Sequence, residues 1–91
     1  MSADETVREL LHWREQPDTR TNLLMTANRM KQALARDDLT GLQRAELERE
    51  LLRVKLHHQL WEGGEISSAQ ARRLRAADVK VRRARDGEKE S

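Results

Sequence analysis

Residues 42–62 contain no glycine or proline and have the periodicity of one long helix with two apolar sides. At about 100° per residue, one side carries Leu47, Leu51, Val54, His58 and Trp61. The opposite side carries Leu42, Ala45, Leu52, Leu56 and Leu60. A helix with apolar residues on two opposed sides is normally packed on both. We therefore expect one side to contact the next helix of a hairpin, and the other to contact either the N-terminal helices or a second subunit.

The remaining breakers and cap residues divide the chain into four helical segments. Pro17 should end the first segment, because the residue before a proline is disfavoured in helical geometry. The second should begin within residues 18–21 and end near residues 36–38. Three capping boxes, each a Ser or Thr followed three residues later by Glu or Gln, mark helix starts: Ser2 with Glu5, Thr40 with Gln43, and Ser67 with Gln70. The pattern predicts an all-α small helical bundle, with two shorter helices followed by a long antiparallel helical hairpin.

The size of the chain limits how much core it can build. Ninety-one residues make at most one domain, and apolar residues are 36% of the chain while charged residues are 37%. Such a composition fits either a thin bundle or an oligomer that completes its core with a second copy. We expect a single helical domain over residues 1–86, a flexible C-terminal tail over residues 87–91, and a homodimer.

Composition also restricts the cellular setting. The chain has no cysteine, so it forms no disulfide and no thiolate metal site. No apolar run approaches the ~18 residues of a membrane span, and the N-terminus lacks the basic and apolar regions of a signal peptide. These features predict a cytoplasmic protein without membrane contact. Arginine outnumbers lysine by 14 to 4, a bias associated with bacterial and phage genes, and we expect such a source.

Residues able to support catalysis or metal binding are few. Adjacent His57 and His58 point about 100° apart on a helix, and His58 with Glu62 supplies only two ligands. Neither a glycine-rich phosphate loop nor a nucleophile elbow is present. We interpret the carboxylates as solvated surface charges: Asp37, Asp38, Glu46, Glu48 and Glu50. The sequence therefore predicts no enzyme activity, metal, cofactor or small-molecule substrate.

The fourth segment is strongly basic. Between Ser68 and Arg85 only Asp78 is acidic, whereas seven residues are basic. The basic residues are Arg72, Arg73, Arg75, Lys80, Arg82, Arg83 and Arg85. One interpretation is sequence-indifferent binding to nucleic-acid phosphates. The other is a solvated surface that pairs partly with glutamates of the third helix. The second is favoured by the spread of the cations around the helix, outside an apolar seam of Leu74, Ala77, Val81 and Ala84.

Together these patterns predict a non-enzymatic protein–protein interaction module, such as a regulator, adaptor or assembly component, that docks through helix faces. The expected partner or self-interface consists of Leu47, Leu51, Val54, His58, Trp61 and Trp13. For Trp13, packing at a helix rim and exposure as a partner anchor are equally compatible with its position. The alternative function is nucleic-acid binding through the basic helix, although no helix-turn-helix pattern is evident.

Overall fold

A computed structural model describes residues 2–17 and 19–90, with the backbone alone described for residues 88–90. The chain forms four α-helices: α1 Ala3–Leu11, α2 Arg20–Leu34, α3 Gly41–Trp61 and α4 Ser68–Glu90. A short 3₁₀ helix, Trp13–Glu15, lies between α1 and α2, and the described part of the chain contains no strand. The predicted all-α bundle with its long C-terminal hairpin is confirmed.

Local side-chain bonds start each helix where the sequence predicted. The Thr40 hydroxyl accepts from the backbone N–H of Gln43 at 3.0 Å, and the Gln43 side chain accepts from the N–H of Thr40 at 3.0 Å. Ser67 and Gln70 make the same reciprocal pair before α4, at 3.1 and 2.9 Å. Thr19 caps α2, because its hydroxyl accepts a hydrogen bond from the backbone N–H of Asn22. These bonds satisfy backbone donors that have no partner within a helix.

The end of α3 is fixed by two glycines. Gly63 has φ of +83°, in the left-handed region that side chains disfavour. Its N–H donates to the carbonyl of Leu60, and the N–H of Gly64 donates to that of Gln59. This pair of bonds is the Schellman arrangement that closes a helix C-terminus. A Cβ on Gly64 would lie 3.1 Å from the Gln59 carbonyl oxygen. Replacing Gly63 would strain the backbone, and replacing Gly64 would crowd that carbonyl oxygen.

One predicted helix end is wrong, and the last helix extends beyond the predicted domain boundary. The first helix stops at Leu11 rather than at Gln16, and the 3₁₀ helix completes the segment before Gln16 becomes extended, with ψ of 155°. The segment before Pro17 thus ends in a 3₁₀ helix, which is more tightly wound than the α-helix that was expected there. At the other end, α4 remains helical through Glu90, past the predicted domain boundary at residue 86. Glycine lowers helix stability by only about 1 kcal/mol, which allows the helix to pass through Gly87. Flexibility of residues 87–91 stays a prediction.

Helix α3 lies at the centre, with α1 and α2 on one side and α4 on the other. The larger core lies between α3 and the N-terminal helices, where Leu47, Val54 and Met30 are fully inaccessible to solvent. The other large side chains of this core are Val7, Leu10, Trp13 and Leu23. Both apolar sides of α3 are therefore covered within one chain except at its C-terminal end, where Leu60 and Trp61 are exposed. The N-terminal helices cover the side for which the sequence allowed either these helices or a second subunit.

The layer between α3 and α4 is thinner and more polar. Its buried apolar residues are Ala45, Leu56 and Val81. Side chains of Gln59 and Gln70 exchange hydrogen bonds of 3.1 and 2.6 Å across it. This layer holds α4 through one side only, which leaves the opposite side of the helix to solvent.

Candidate nucleic-acid interface

Helix α4 packs on α3 along the seam that the sequence predicted. Val81 is almost fully buried, and Leu74, Ala77 and Ala84 are half-buried. Asp78 also faces α3, where the guanidinium groups of Arg49 and Arg53 lie 3.8 and 3.4 Å from its Oδ1 atom. The only acid between residues 68 and 85 is thus neutralised on the packed side, away from the cations of the same helix.

All seven predicted cations of α4 are exposed: Arg72, Arg73, Arg75, Lys80, Arg82, Arg83 and Arg85. Lys80 lies 3.4 Å from a carboxylate oxygen of Glu48 on α3. Within the described part of the chain, the six arginines form neither an ion pair nor a side-chain hydrogen bond. Partial pairing with glutamates of the third helix, as the sequence suggested, is therefore limited to Lys80. The exposed Asp86 ends this cationic stretch.

We call the exposed side of α4 the outer face. Its side chains are arranged in three rows along the helix. Its middle row is Arg72, Ala76, Val79 and Arg83, at spacings of four, three and four that place side chains above one another on a helix. Arg75 and Arg82, seven residues apart, form one flank of the outer face. Arg73 and Lys80 form the other flank. At 100° per residue each flank lies about 80° from the middle row.

The predicted apolar interface lies largely inside the protein. Leu47 and Val54 are fully buried against α1 and α2, and Leu51 packs at the edge of the same core. These three residues are covered because the N-terminal helices occupy the side of α3 that they line. In this structure these three residues do not form an open surface for a partner.

Trp13 is also buried, with 7% of its surface accessible, so the structure contains the packed alternative rather than the exposed anchor. The 3₁₀ geometry, which is tighter than an α-helix, sets its orientation. Its indole Nε1 donates to Oε1 of Glu50 at 3.2 Å. Its ring and the His57 ring form a T-shaped contact with a centroid distance of 5.3 Å and an interplanar angle of 79°.

Glu50 was predicted to be a solvated surface charge, and this prediction is wrong: only 4% of the residue is exposed. Its Oε2 accepts from Arg49 Nε at 2.9 Å and from Arg53 at 2.7 Å, while Oε1 accepts from Trp13. A buried carboxylate needs such partners because desolvation of an unpaired charge is costly. The sequence contained a signal for it, since Glu50 lies three residues after Leu47 and four before Val54, within the buried seam itself.

The other predicted interface residues lie near the C-terminus of α3. His58 Nε2 is buried without a hydrogen-bond partner and lies 3.4 Å from a carboxylate oxygen of Glu62. Trp61 is 55% exposed, and Leu60 and Ile66 beside it are also exposed. We call these three apolar residues the hairpin tip. Across the described residues, no three potential ligands among histidine, aspartate and glutamate converge on one point.

A half-open cleft of about 440 Å³ lies between the 3₁₀ helix, α2 and α3. It is lined by the Trp13 and His57 rings and by the polar side chains of Asn22 and Thr26. The Arg14 guanidinium carbon lies 5.5 Å from the Trp13 ring centroid, a cation–π contact at the rim. Of the residues described, Arg14 is the one arginine or lysine that lines the cleft, whereas the outer face of α4 carries six such cations.

Comparison with known proteins identifies no relative, since no family model, no curated protein and no solved structure matches the chain. Within the described residues, no helix has both the length and the apolar character required to cross a membrane.

Proposed function

We propose that this chain is a non-enzymatic binding protein that holds nucleic acid through the outer face of α4. One observation carries the proposal: six exposed arginines lie on a single helix and make no ion pair with the described part of the chain. Phosphates of a nucleic-acid backbone are the anions that such a row of guanidinium groups binds well, often through two parallel hydrogen bonds.

The expected driving force is the release of condensed counterions. Each phosphate that an arginine neutralises frees cations from the nucleic acid, and this gain falls as salt rises. Intramolecular surface ion pairs would compete with phosphates for the same guanidinium groups. The arginines of the outer face have no such described competitor, which supports their availability.

The opposite side of α4 supports the proposal by fixing the position of these charges. Asp78 lies near Arg49 and Arg53, and Gln70 exchanges two hydrogen bonds with Gln59. A helix held in place loses less conformational entropy when it binds than a disordered basic segment does. We place this binding protein in the cytoplasm of a bacterium or of a phage-infected cell.

The test is affinity for a short duplex, measured by fluorescence anisotropy between about 50 and 200 mM salt. The logarithm of the binding constant should fall linearly with the logarithm of salt. Arg75→Ala combined with Arg82→Ala should make that slope shallower by about 1.8, at about 0.9 for each lost phosphate contact.

The matched control removes two exposed arginines from the N-terminal helices, as Arg8→Ala with Arg29→Ala. Both double variants lose the same net charge, so only position differs between them. The control should keep the slope of the unaltered protein. An equal loss in both variants, or no binding at about 50 mM salt, would overturn the proposal.

A second candidate function is docking of a protein partner or a second copy, as expected of an adaptor or regulator that forms homodimers. The exposed hairpin tip favours it, because tryptophan is over-represented among residues that dominate interface energetics. Light scattering at micromolar concentration tests self-association, and Trp61→Ala should dissociate a dimer formed through the tip. If the unaltered protein is a monomer at this concentration, the proposed homodimer is excluded.

A further inference from the structure

We infer that α4 docks lengthwise into the major groove of B-form duplex DNA, an inference that rests on the proposed function and specifies its ligand. The observation behind it is the order of side chains on the outer face. A middle row of Arg72, Ala76, Val79 and Arg83 runs between two flanks that each carry two cations. Random solvation of a basic helix requires no such order.

The three rows match the cross-section of the groove. An α-helix with its side chains is about 10–12 Å wide, and the major groove is about 12 Å wide and 8.5 Å deep. A helix lying in that groove has a phosphate backbone along each of its sides. Arg75 and Arg82 then face one backbone, while Arg73 and Lys80 face the other, where Lys80 exchanges its exposed contact with Glu48 for a phosphate. Cations on both flanks are what this position demands, since each flank meets a separate row of phosphates.

The middle row then faces the base edges. From Arg72 to Arg83 the helix rises about 17 Å, which spans about five base pairs at 3.4 Å per step. Ala76 lets the helix backbone approach closely, and the exposed Val79 offers an apolar contact for a thymine methyl group. The two terminal arginines are suited to the O6 and N7 acceptors of guanine, the commonest specific contact in this groove.

Other nucleic acids fit this surface less well. The major groove of A-form RNA is deep and narrow, and side chains cannot read it. Single strands are held chiefly by stacking of bases on aromatic side chains. The chain has two tryptophans, of which Trp13 is buried and Trp61 lies outside α4. Of the three ligands, duplex DNA alone uses both flanks and the middle row.

The decisive experiment compares two duplexes of one sequence. In the second, the cytosines carry glucosylated hydroxymethyl groups, which fill the major groove and leave the phosphate charge unchanged. The unaltered protein should bind the filled duplex at least tenfold more weakly at the same salt concentration. A duplex RNA of the same sequence should also bind at least tenfold more weakly. Equal affinity for the plain and filled DNA would overturn groove docking.

A charge-conserving variant tests the middle row separately. Arg72→Lys with Arg83→Lys keeps both charges and removes the two-pronged contact that guanidinium makes with guanine. The unaltered protein should prefer a duplex containing guanine to one of adenine and thymine alone by at least fivefold. The lysine variant should lose this preference and keep its salt slope. A preference that is absent from the unaltered protein, or that persists in the variant, contradicts base contact by this row.

These outcomes separate the inference from the proposed function. If neither plain DNA nor RNA binds at about 50 mM salt, nucleic-acid binding itself fails. If plain DNA, filled DNA and RNA bind alike with a normal salt slope, the proposed function stands and groove docking fails. The comparison of plain and filled DNA requires no variant, so a folding defect cannot produce its result.

Discussion

The two sides of α3 hold their neighbours by different means. Toward α1 and α2, large apolar side chains such as Leu47, Val54 and Met30 form a core closed to solvent. Toward α4, the buried residues are fewer and smaller, and paired polar side chains cross the layer. The first side forms the larger core, while the second attaches α4 and leaves the outer face of that helix accessible.

This difference shows how a small chain can keep the arginines of a cationic surface unpaired. Two acids that could neutralise them are used elsewhere: Glu50 is buried beside Trp13, and Asp78 faces α3. Arg49 and Arg53 lie near both carboxylates. The charges of Glu50 and Asp78 are thus balanced by arginines of α3, and the arginines of the outer face stay available to an external anion.

The largest effect should come from truncating the closed core. Leu47→Ala is expected to lower the free energy of unfolding by about 2–5 kcal/mol, because it removes buried methyl groups and leaves a cavity. Leu56→Ala is the matched change on the α4 side, and it should cost less because this layer is thinner and can relax into solvent. Urea denaturation followed by circular dichroism measures both. Equal losses would mean that the two sides are packed alike.

The next effect concerns the carboxylate that links the two sides. Glu50→Ala should cost about 1.5–3 kcal/mol, since it leaves the buried Trp13 indole N–H without its acceptor and takes from Arg49 and Arg53 the nearer of their two carboxylates. Glu50→Gln keeps an acceptor for the indole and should cost less. Urea denaturation gives the energies, and tryptophan fluorescence in a Trp61→Phe background reports the surroundings of Trp13. An unchanged free energy of unfolding in Glu50→Ala would show that the buried network adds nothing to stability.

A smaller effect is expected at the junction of α3 and α4. Gly63→Ala should cost about 1 kcal/mol, because alanine is strained at a φ of +83°. Gly87→Ala is the control: that glycine is helical, and a Cβ there meets nothing within 4 Å. The control should raise stability slightly, since alanine favours helices. Thermal unfolding of both variants measures the contrast, and destabilisation by Gly87→Ala would argue against a continuous α4.

The smallest effect lies in the connection between α2 and α3. The side-chain hydrogen bond from Arg36 holds the pKa of Asp38 below its usual value. The pair therefore adds stability above the unfolded pKa of about 3.9, and that stability disappears as pH falls through the lower folded value. Asp38→Asn should slightly lower the thermal midpoint at pH 7 and leave it unchanged in strong acid. A difference that persists in acid would assign the effect to something other than this ion pair.

The sequence predicted most of the architecture because its signals act locally. Caps such as Thr40 with Gln43 and Ser67 with Gln70 involve residues three apart, and their bonds form as expected. The requirement that α3 be covered on two sides also followed from its periodicity. The site was predicted in part: the seven cations of α4 were identified, but their pairing with α3 was overestimated.

What the sequence by itself determined was the number of helices, their starts, and the apolar seams they present, since backbone hydrogen bonding and helical period depend on nearby residues. Only the tertiary structure decided that α1 and α2 cover Leu47 and Val54, and that Glu50 is buried against Trp13. Residues 13 and 50 are 37 positions apart, and no local pattern specifies such a contact. Whether a charge is free depends on which acids the fold brings near it, and here folding brings Asp78 of α4 to the arginines of α3.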